Sequence, residues 1–395
     1  MRKHKSDRLI GGLAVVLLLI GLVVIYAIGP MRANFSNASY GTHFSSNYFF
    51  VHQLISVGIS LVAFFIAFIF PYEKLKKISW IVIILGIIAC FILQIGAWTG
   101  SSIASCQLGA CRWINVGSLG TIQPAEILKL GLILYLARLI RKRKEEDNLE
   151  KNDFWIPFSI VSIISIVFVV FFQQDLGSTV VIVAILLAML FVSGMSLGKV
   201  VVVVGILLVG GVISILISPH RMERMMTFTD SDGADSYHID NALLAIGTGG
   251  IAGVGIGNTV QATGYLPESI NDSIFAVMGE TFGFLGLVLI LIFFTVLLYR
   301  ILRVADYSEE DEHRLIAVGV FAWIASHVVV NIAAMTGLIP LTGITLPLLS
   351  YGGTSMIFTS FGLGLVLQLS CYSRREVQEK KINKISKISK RGSRK

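Results

Sequence analysis

The sequence predicts an all-α polytopic membrane protein with about ten transmembrane helices and both termini in the cytoplasm. Three observations carry that expectation. Of its 395 residues, 55% are hydrophobic and only 14% are charged, a balance foreign to soluble domains, and the mean hydropathy is +0.80. Ten apolar stretches approach the ~20 residues that a helix needs to cross a hydrocarbon core. The basic residues segregate to alternate gaps between those stretches.

In chain order the expected spans are Leu9–Ile28, Ile55–Phe70, Ile78–Gly96, Ile122–Ile140, Phe154–Phe172, Ser178–Gly194, Val200–Ile217, Ile274–Leu298, Leu315–Met335 and Met356–Leu369. The first follows a basic start, as a signal peptide would. No small-residue cleavage site stands at Tyr26 to Pro30, so it reads as a retained helix. The fourth opens on Gln123-Pro124, and proline suits a first helical turn. The sixth follows the short turn Gln173 to Ser178, where Asp175 can cap the helix through its first N–H groups. Asn271 or Asp272 can cap the eighth. The ninth carries His327 and Asn331 four apart on one face, a spacing that serves hydrogen bonding between helices or, as the rarer alternative, a proton path. Proline and glycine breaks between Asn331 and Ser355 suggest a shaped lid or re-entrant element before the tenth.

With Met1–Arg8 inside, 27 of the 32 Lys and Arg residues are cytoplasmic, counting Arg138 with the segment after the fourth span. Outside stand Arg32, Arg112, Arg221 and Arg224, and Lys129 lies within a span. The net charge of +8 belongs to the cytoplasmic segments, so it does not call for nucleic acid. The chain divides into a cytoplasmic tail (1–8), a single membrane domain (9–372) with a large outer loop between spans seven and eight (218–273), and a basic tail (373–395). That tail is polar enough to be disordered and to lie against anionic lipid. Cys106 and Cys111 share one outer loop, where an oxidising setting permits a bridge. Two thiols with no histidine nearby do not make a metal site.

Residues 237–286 form a long glycine-rich, polar stretch that runs into an apolar helix, and the chemistry is expected there. Asp272 stands at the foot of that helix, where partial desolvation raises a carboxyl pKa towards that of a base; helix capping is the structural alternative. Glu280 lies about two turns deeper. Glu126 and Lys129, three apart, can pair on one helix face, either to dock helices or to meet a substrate. Arg112, Arg221 and Arg224 offer planar forks suited to phosphate oxygens, of a substrate or of lipid. Gly247 to Ala252 match a dinucleotide fingerprint in form, but no strand–turn–helix unit surrounds them. Close backbone packing or a re-entrant turn explains the glycines better.

Several separated motifs now agree in order and spacing: RWINVG (112–117), QPAEILK (123–129), QQDLGS (173–178), YHIDNALLAIGTGGIAGVGIGN (237–258), YLPESINDSIFAVMGE (265–280) and GLIPLTGITLPLLSYGGTS (337–355). From Arg8 to Arg375 the chain resembles the SEDS family (shape, elongation, division and sporulation), and its wording is closer to the division branch than to the elongation branch. The resemblance implies a ten-span peptidoglycan glycosyltransferase of the bacterial cytoplasmic membrane. Such an enzyme polymerises lipid II on the outer face, inverting the anomeric carbon and releasing undecaprenyl pyrophosphate. It implies Asp272 as the essential acid, acting as base or as ligand to a divalent cation (Mg or Mn), with no organic cofactor. Arg112, Glu126, Lys129, Arg221, Arg224 and Glu280 fall on the family's substrate-handling positions. Implied partners are lipid II, the growing glycan strand, a class B penicillin-binding transpeptidase and other division or elongation proteins. Three residues depart from the family pattern: Gln174 for proline, Ser273 for phenylalanine and Thr281 for a second glutamate. The rival class is a flippase or transporter of the same lipid-linked precursor, and a third is a non-enzymatic scaffold.

Overall fold

The computed structural model describes residues 6–107, 110–117, 120–218, 221, 222, 225, 226, 228 and 234–372. The basic tail expected at 373–395 and Arg224 therefore lie outside the described residues. The helices are α1 (Arg8–Tyr40), α2 (Tyr48–Ile69), α3 (Tyr72–Thr99), α4 (Pro124–Glu145), α5 (Asn152–Val167), α6 (Leu176–Val192), α7 (Leu197–Ile217), α8 (Ala234–Thr248), α9 (Ile274–Asp306), α10 (Asp311–Met335) and α11 (Gly353–Ser370). A π-helical turn over Phe168–Phe172 prolongs α5. Three short strands, β1 (Ala104–Gln107), β2 (Ala110–Asn115) and β3 (Thr121–Ile122), form one antiparallel sheet in the order β1-β2-β3 between α3 and α4.

Each expected span coincides with a helix. Among the described residues, eight helices are long and apolar enough to cross a membrane on their own. The other two expected spans are α6, which is 17 residues long, and α4, which is diluted by Glu126, Lys129 and a basic last turn. A helix so polar at its ends can sit in a bilayer only if protein surrounds it. It does: Leu128, Leu132, Ile133, Leu136, Ala137 and Ile140 of α4 are all fully buried. The helix packs on α3, α5, α6, α10 and α11. Gly86 and Gly131 allow the α3 contact, since a Cβ at Gly131 would come within 2.8 Å of the Ile83 Cα. By contrast α7 leaves one Val, Ile or Leu after another exposed, as expected of a helix at a lipid boundary.

At the cytoplasmic end, Asp7 gathers three helices. Its carboxylate accepts from Leu9 N–H at 3.2 Å to cap α1 and pairs with Arg300 of α9 at 2.6 Å; its own N–H donates to Ser370 Oγ of α11 at 3.0 Å.

The glycine-rich segment finds its explanation at a break in α9. Gly283 has φ 68 and ψ −170, which interrupts the helix, and backbone groups freed inside apolar surroundings need other partners. The 249–255 loop supplies them. Val254 and Gly255 N–H donate to the Glu280 and Thr281 carbonyls at 2.9 and 3.1 Å, while Phe284 and Leu285 N–H donate to Gly250 and Ile251 at 2.8 and 3.1 Å. Backbones this close exclude side chains: a Cβ at Gly283 would lie 2.6 Å from Ile251 O and would also meet Gly253 N. Gly283→Ala is therefore expected to cost roughly 2–3 kcal/mol through strain and overpacking. A lower melting temperature in detergent would show it. Gly205→Ala, on α7 where an added Cβ meets nothing within 4 Å, should leave the melting temperature unchanged or slightly raised.

Candidate active site

A cavity of about 570 Å³ lies at the end of the bundle that the Lys and Arg distribution assigns to the outside. Its walls come from β2, the start of α4, the 173–178 turn, α8, the 267–272 segment, α10 and the 341–355 loop. Arg112, Glu126, Asp175, Glu268 and Asp272 all line it.

Arg112 is set by the sheet. A disulfide joins Cys106 to Cys111 across the β1–β2 pair, as the spacing permits, and braces the hairpin immediately before Arg112. The guanidinium donates to the Gln173 and Gln174 carbonyls at 3.4 and 2.9 Å, which ties the hairpin to the turn before α6. Two of its five N–H donors are thus engaged. Asp175 caps α6 as expected, accepting from Ser178 N–H at 2.9 Å, and also receives Gln123 Nε2 at 3.0 Å.

Below them lies a buried polar chain. Lys129, with no accessible surface, donates to Glu126 Oε1 at 2.8 Å and to His327 Nε2 at 3.0 Å, with the Trp323 ring 5.3 Å from Nζ. An ammonium has donors only, so His327 accepts through Nε2 and donates from Nδ1 to Thr345 O at 3.1 Å. Glu126 Oε2 is buried and accepts from no protein group among the described residues, in a side chain that borders the cavity. One turn beyond His327, Asn331 donates to the backbone carbonyls of Asp272 and Ile344 at 2.6 and 2.7 Å. The pair spotted on the ninth span is thus a clamp that holds Asp272 against the 341–350 loop.

Asp272 is 8% exposed, directly before α9. Burial, and secondarily the negative charge of Glu268, push its carboxyl up to about 7. A pKa raised in the folded state means that stability falls as pH rises from the ordinary carboxyl range towards 7. An asparagine at this position should therefore be neutral or stabilising for the fold. Glu268 in turn is 3.6 Å from Arg32 at the end of α1.

Two of the expected residues lie away from the cavity lining. Glu280 does not line the cavity: its Oε1 accepts the N–H groups of Val260 and Gln261 at 2.6 and 2.9 Å, pinning the loop that enters the α9 break. A carboxylate two turns down a helix met a neighbouring backbone before it could meet solvent. Arg221 likewise turns away, buried, and donates to the carbonyls of Ser214 at 3.0 Å and of Val170. It satisfies carbonyls exposed at the ends of α7 and the π turn. His238 lines the cavity although it drew no attention in the sequence, where a lone histidine carries no spacing signal.

These features define a polytopic membrane protein with a polar, carboxylate-walled cavity at its outer end. Comparison with known proteins gives the family: the model for "cell cycle protein" of the FtsW, RodA and SpoVE kind matches residues 7–375. The chain belongs to this SEDS family. It is 33% identical to stage V sporulation protein E of Bacillus subtilis, over 94% of this chain and 99% of that one. It is 31% identical to the probable peptidoglycan glycosyltransferase FtsW of Escherichia coli O157:H7, over 89% and 84% respectively. A chain in a solved peptidoglycan synthase complex shares its fold at TM-score 0.72 and 23% identity, covering 92% of this chain and 97% of that one. RodA of Thermus thermophilus does so at TM-score 0.65 and 23% identity, covering 92% and 96%. The protein is a multi-pass protein of the bacterial cytoplasmic membrane, closer to FtsW and SpoVE than to RodA.

Lys129→Ala would leave Glu126 buried without its cation, at a cost of about 3–5 kcal/mol. The double variant Glu126→Gln with Lys129→Met should recover most of that stability. Thermal unfolding in detergent compares the two.

Proposed function

We propose that this peptidoglycan glycosyltransferase polymerises lipid II in the cavity beside Asp272, with Asp272 as the general base. One observation supports the reading: Asp272, its carboxyl pushed up by burial, lines the same cavity as Arg112 and Glu126. Attack of a sugar 4-hydroxyl on a lipid-linked anomeric carbon needs one group to take the hydroxyl proton as the new bond forms. It also needs stabilisation of the departing pyrophosphate. Inversion in a single displacement asks for no second catalytic carboxylate. Asp272 takes the proton, Arg112 faces the pyrophosphate with its remaining donors, and Glu126 accepts from a sugar hydroxyl. Lys129 acts by holding Glu126.

Among the described residues no three His, Cys, Asp or Glu side chains gather to cage a metal. Asp272 with Glu268 beside it suits the looser mode in which Mg²⁺ rests on one or two carboxylates, waters and substrate phosphates. Bound there, such an ion would supply countercharge for the leaving pyrophosphate.

The expected transpeptidase partner is also part of this proposal. A solved peptidoglycan synthase complex, one chain of which shares this fold, coordinates polymerisation and crosslinking. A class B penicillin-binding protein is the partner of that chemistry here.

Asp272→Asn should abolish polymerisation of labelled lipid II by purified protein while its melting temperature stays level or rises. Polymer at the normal rate would remove Asp272 from the mechanism. Labelled lipid crossing vesicle bilayers with no polymer, even with transpeptidase and Mg²⁺, would favour the transporter reading. The pH profile has a definite sign. A base must be ionised, so kcat/KM should fall as pH drops through about 7. Glu268→Gln removes the neighbouring negative charge, so this acid limb should move to lower pH.

A further inference from the structure

The small sheet is irregular at the residue that matters most to the cavity. In the β1–β2 pair Ser105 lies opposite Trp113 and Cys106 opposite Cys111, so the register shifts by one and Arg112 is the extra residue of a β-bulge. A bulge leaves its extra residue out of the ladder and re-aims the side chains beside it. That is why Arg112 and Trp113, adjacent on one strand, both line the cavity instead of alternating between faces. The ladder around the bulge is short: β1 has four residues and β3 only two. A ladder that small is marginally stable alone, and a slip of one residue turns every side chain to the other face. The Cys106–Cys111 bridge is the covalent bond that opposes such a slip, and it stands directly beside the bulge. Cys106 is exposed, so an aqueous thiol can reach the bridge.

We propose that Cys106 and Cys111, joined as a disulfide, are positioning residues for Arg112: they lock the bulge that aims its guanidinium into the cavity, so affinity for the lipid-linked substrate depends on the redox state of this pair. This rests on the reading of Arg112 as the group that faces the pyrophosphate. In the bulged register the guanidinium meets the Gln173 and Gln174 carbonyls, and its Nη1 points towards Gly343 of the facing loop. Once the bridge opens, the bulge is free to move along the hairpin, and Arg112 spends part of its time turned from the diphosphate. Bound substrate selects the bulged register, so saturation restores it. The loss therefore falls on apparent affinity, which is divided by the fraction of molecules in the competent register. The opening itself balances. One thiolate of a dithiol attacks Cys106 Sγ and Cys111 leaves as a thiolate; the second thiol then displaces Cys106 from the mixed disulfide. The pair gains two electrons and two protons, and the dithiol departs as a disulfide.

The test is polymerisation of labelled lipid II by the purified full-length protein, oxidised or treated with dithiothreitol, with the thiol state read by mass spectrometry. Cys90 and Cys371 are already free, so the reductant changes only this pair. Reduction should raise KM about threefold to tenfold with kcat little changed, and re-oxidation should restore it. A merely structural bridge would instead lose active enzyme on reduction, lowering kcat at constant KM. Cys106→Ser with Cys111→Ser should show the raised KM and ignore dithiothreitol. An unchanged KM in fully reduced protein, or a double variant with the KM of oxidised wild type, overturns the proposal. Should the double variant fail to accumulate, reduction and re-oxidation of the wild type decide alone. Arg112→Ala run alongside separates the two levels, and equilibrium binding of labelled lipid II replaces KM if it turns over too slowly. Its affinity should be weakened and should no longer respond to dithiothreitol. A full response in Arg112→Ala shows that the bridge acts elsewhere and overturns the proposal. Weakened Arg112→Ala with no effect of reduction on wild type refutes the disulfide's role alone, whereas wild-type affinity and rate in Arg112→Ala refute the reading on which it rests.

Discussion

A lysine with no accessible surface in the middle of a helix bundle is the constraint on which the outer half of this protein depends. Lys129 has only donors, and burying an ammonium without partners costs several kcal/mol. Its partners must therefore be close, correctly turned and themselves supported. Glu126 one turn away and His327 across the α4–α10 contact meet that need. The consequences spread outward: the lysine fixes the histidine's tautomer, the histidine holds Thr345, and Asn331 one turn on holds Ile344 and Asp272. Cavity floor, lid loop and proposed base are thus registered to one another through a single buried cation.

Asp272 is placed from its other side by backbone. The break at Gly283 and the 249–255 loop that fills it set where α9 begins, and Glu280 locks the loop on the far side. Polar groups freed by a broken helix would be intolerable in apolar surroundings, so the loop and the break require each other. That mutual need accounts for a run of glycines that no nucleotide site explains. It also gives the carboxyl a fixed address at the cavity wall, shielded enough to titrate near 7.

Much of this was legible in the sequence, for identifiable reasons. Apolar length located ten of the eleven helices among the described residues, all but α8, because burying or facing lipid with a helix demands that length whatever the neighbours. Asp272, Arg112, Glu126 and Lys129 were legible as charges that a membrane protein does not maintain idly, and they do converge. Asp175 announced itself as a cap. Glu280 and Arg221 misled because a charge in sequence carries no direction, and their partners are carbonyls and N–H groups of distant backbone, which leave no trace in residue type. His238 was invisible for the complementary reason: its meaning lies in one hydroxyl 35 positions away. The break in α9 was equally hidden, since a glycine inside an apolar run reads as helix until its φ is known.

The most direct test of the central claim is where the pyrophosphate sits. A cryo-electron microscopy map of the protein with its transpeptidase and a non-polymerisable lipid-linked disaccharide would locate it. The account predicts density for the diphosphate between Arg112 and Asp272, with the sugar against Glu126. Density at the level of the bundle's middle, between helices and away from Asp272, would contradict it and point to a transport path instead.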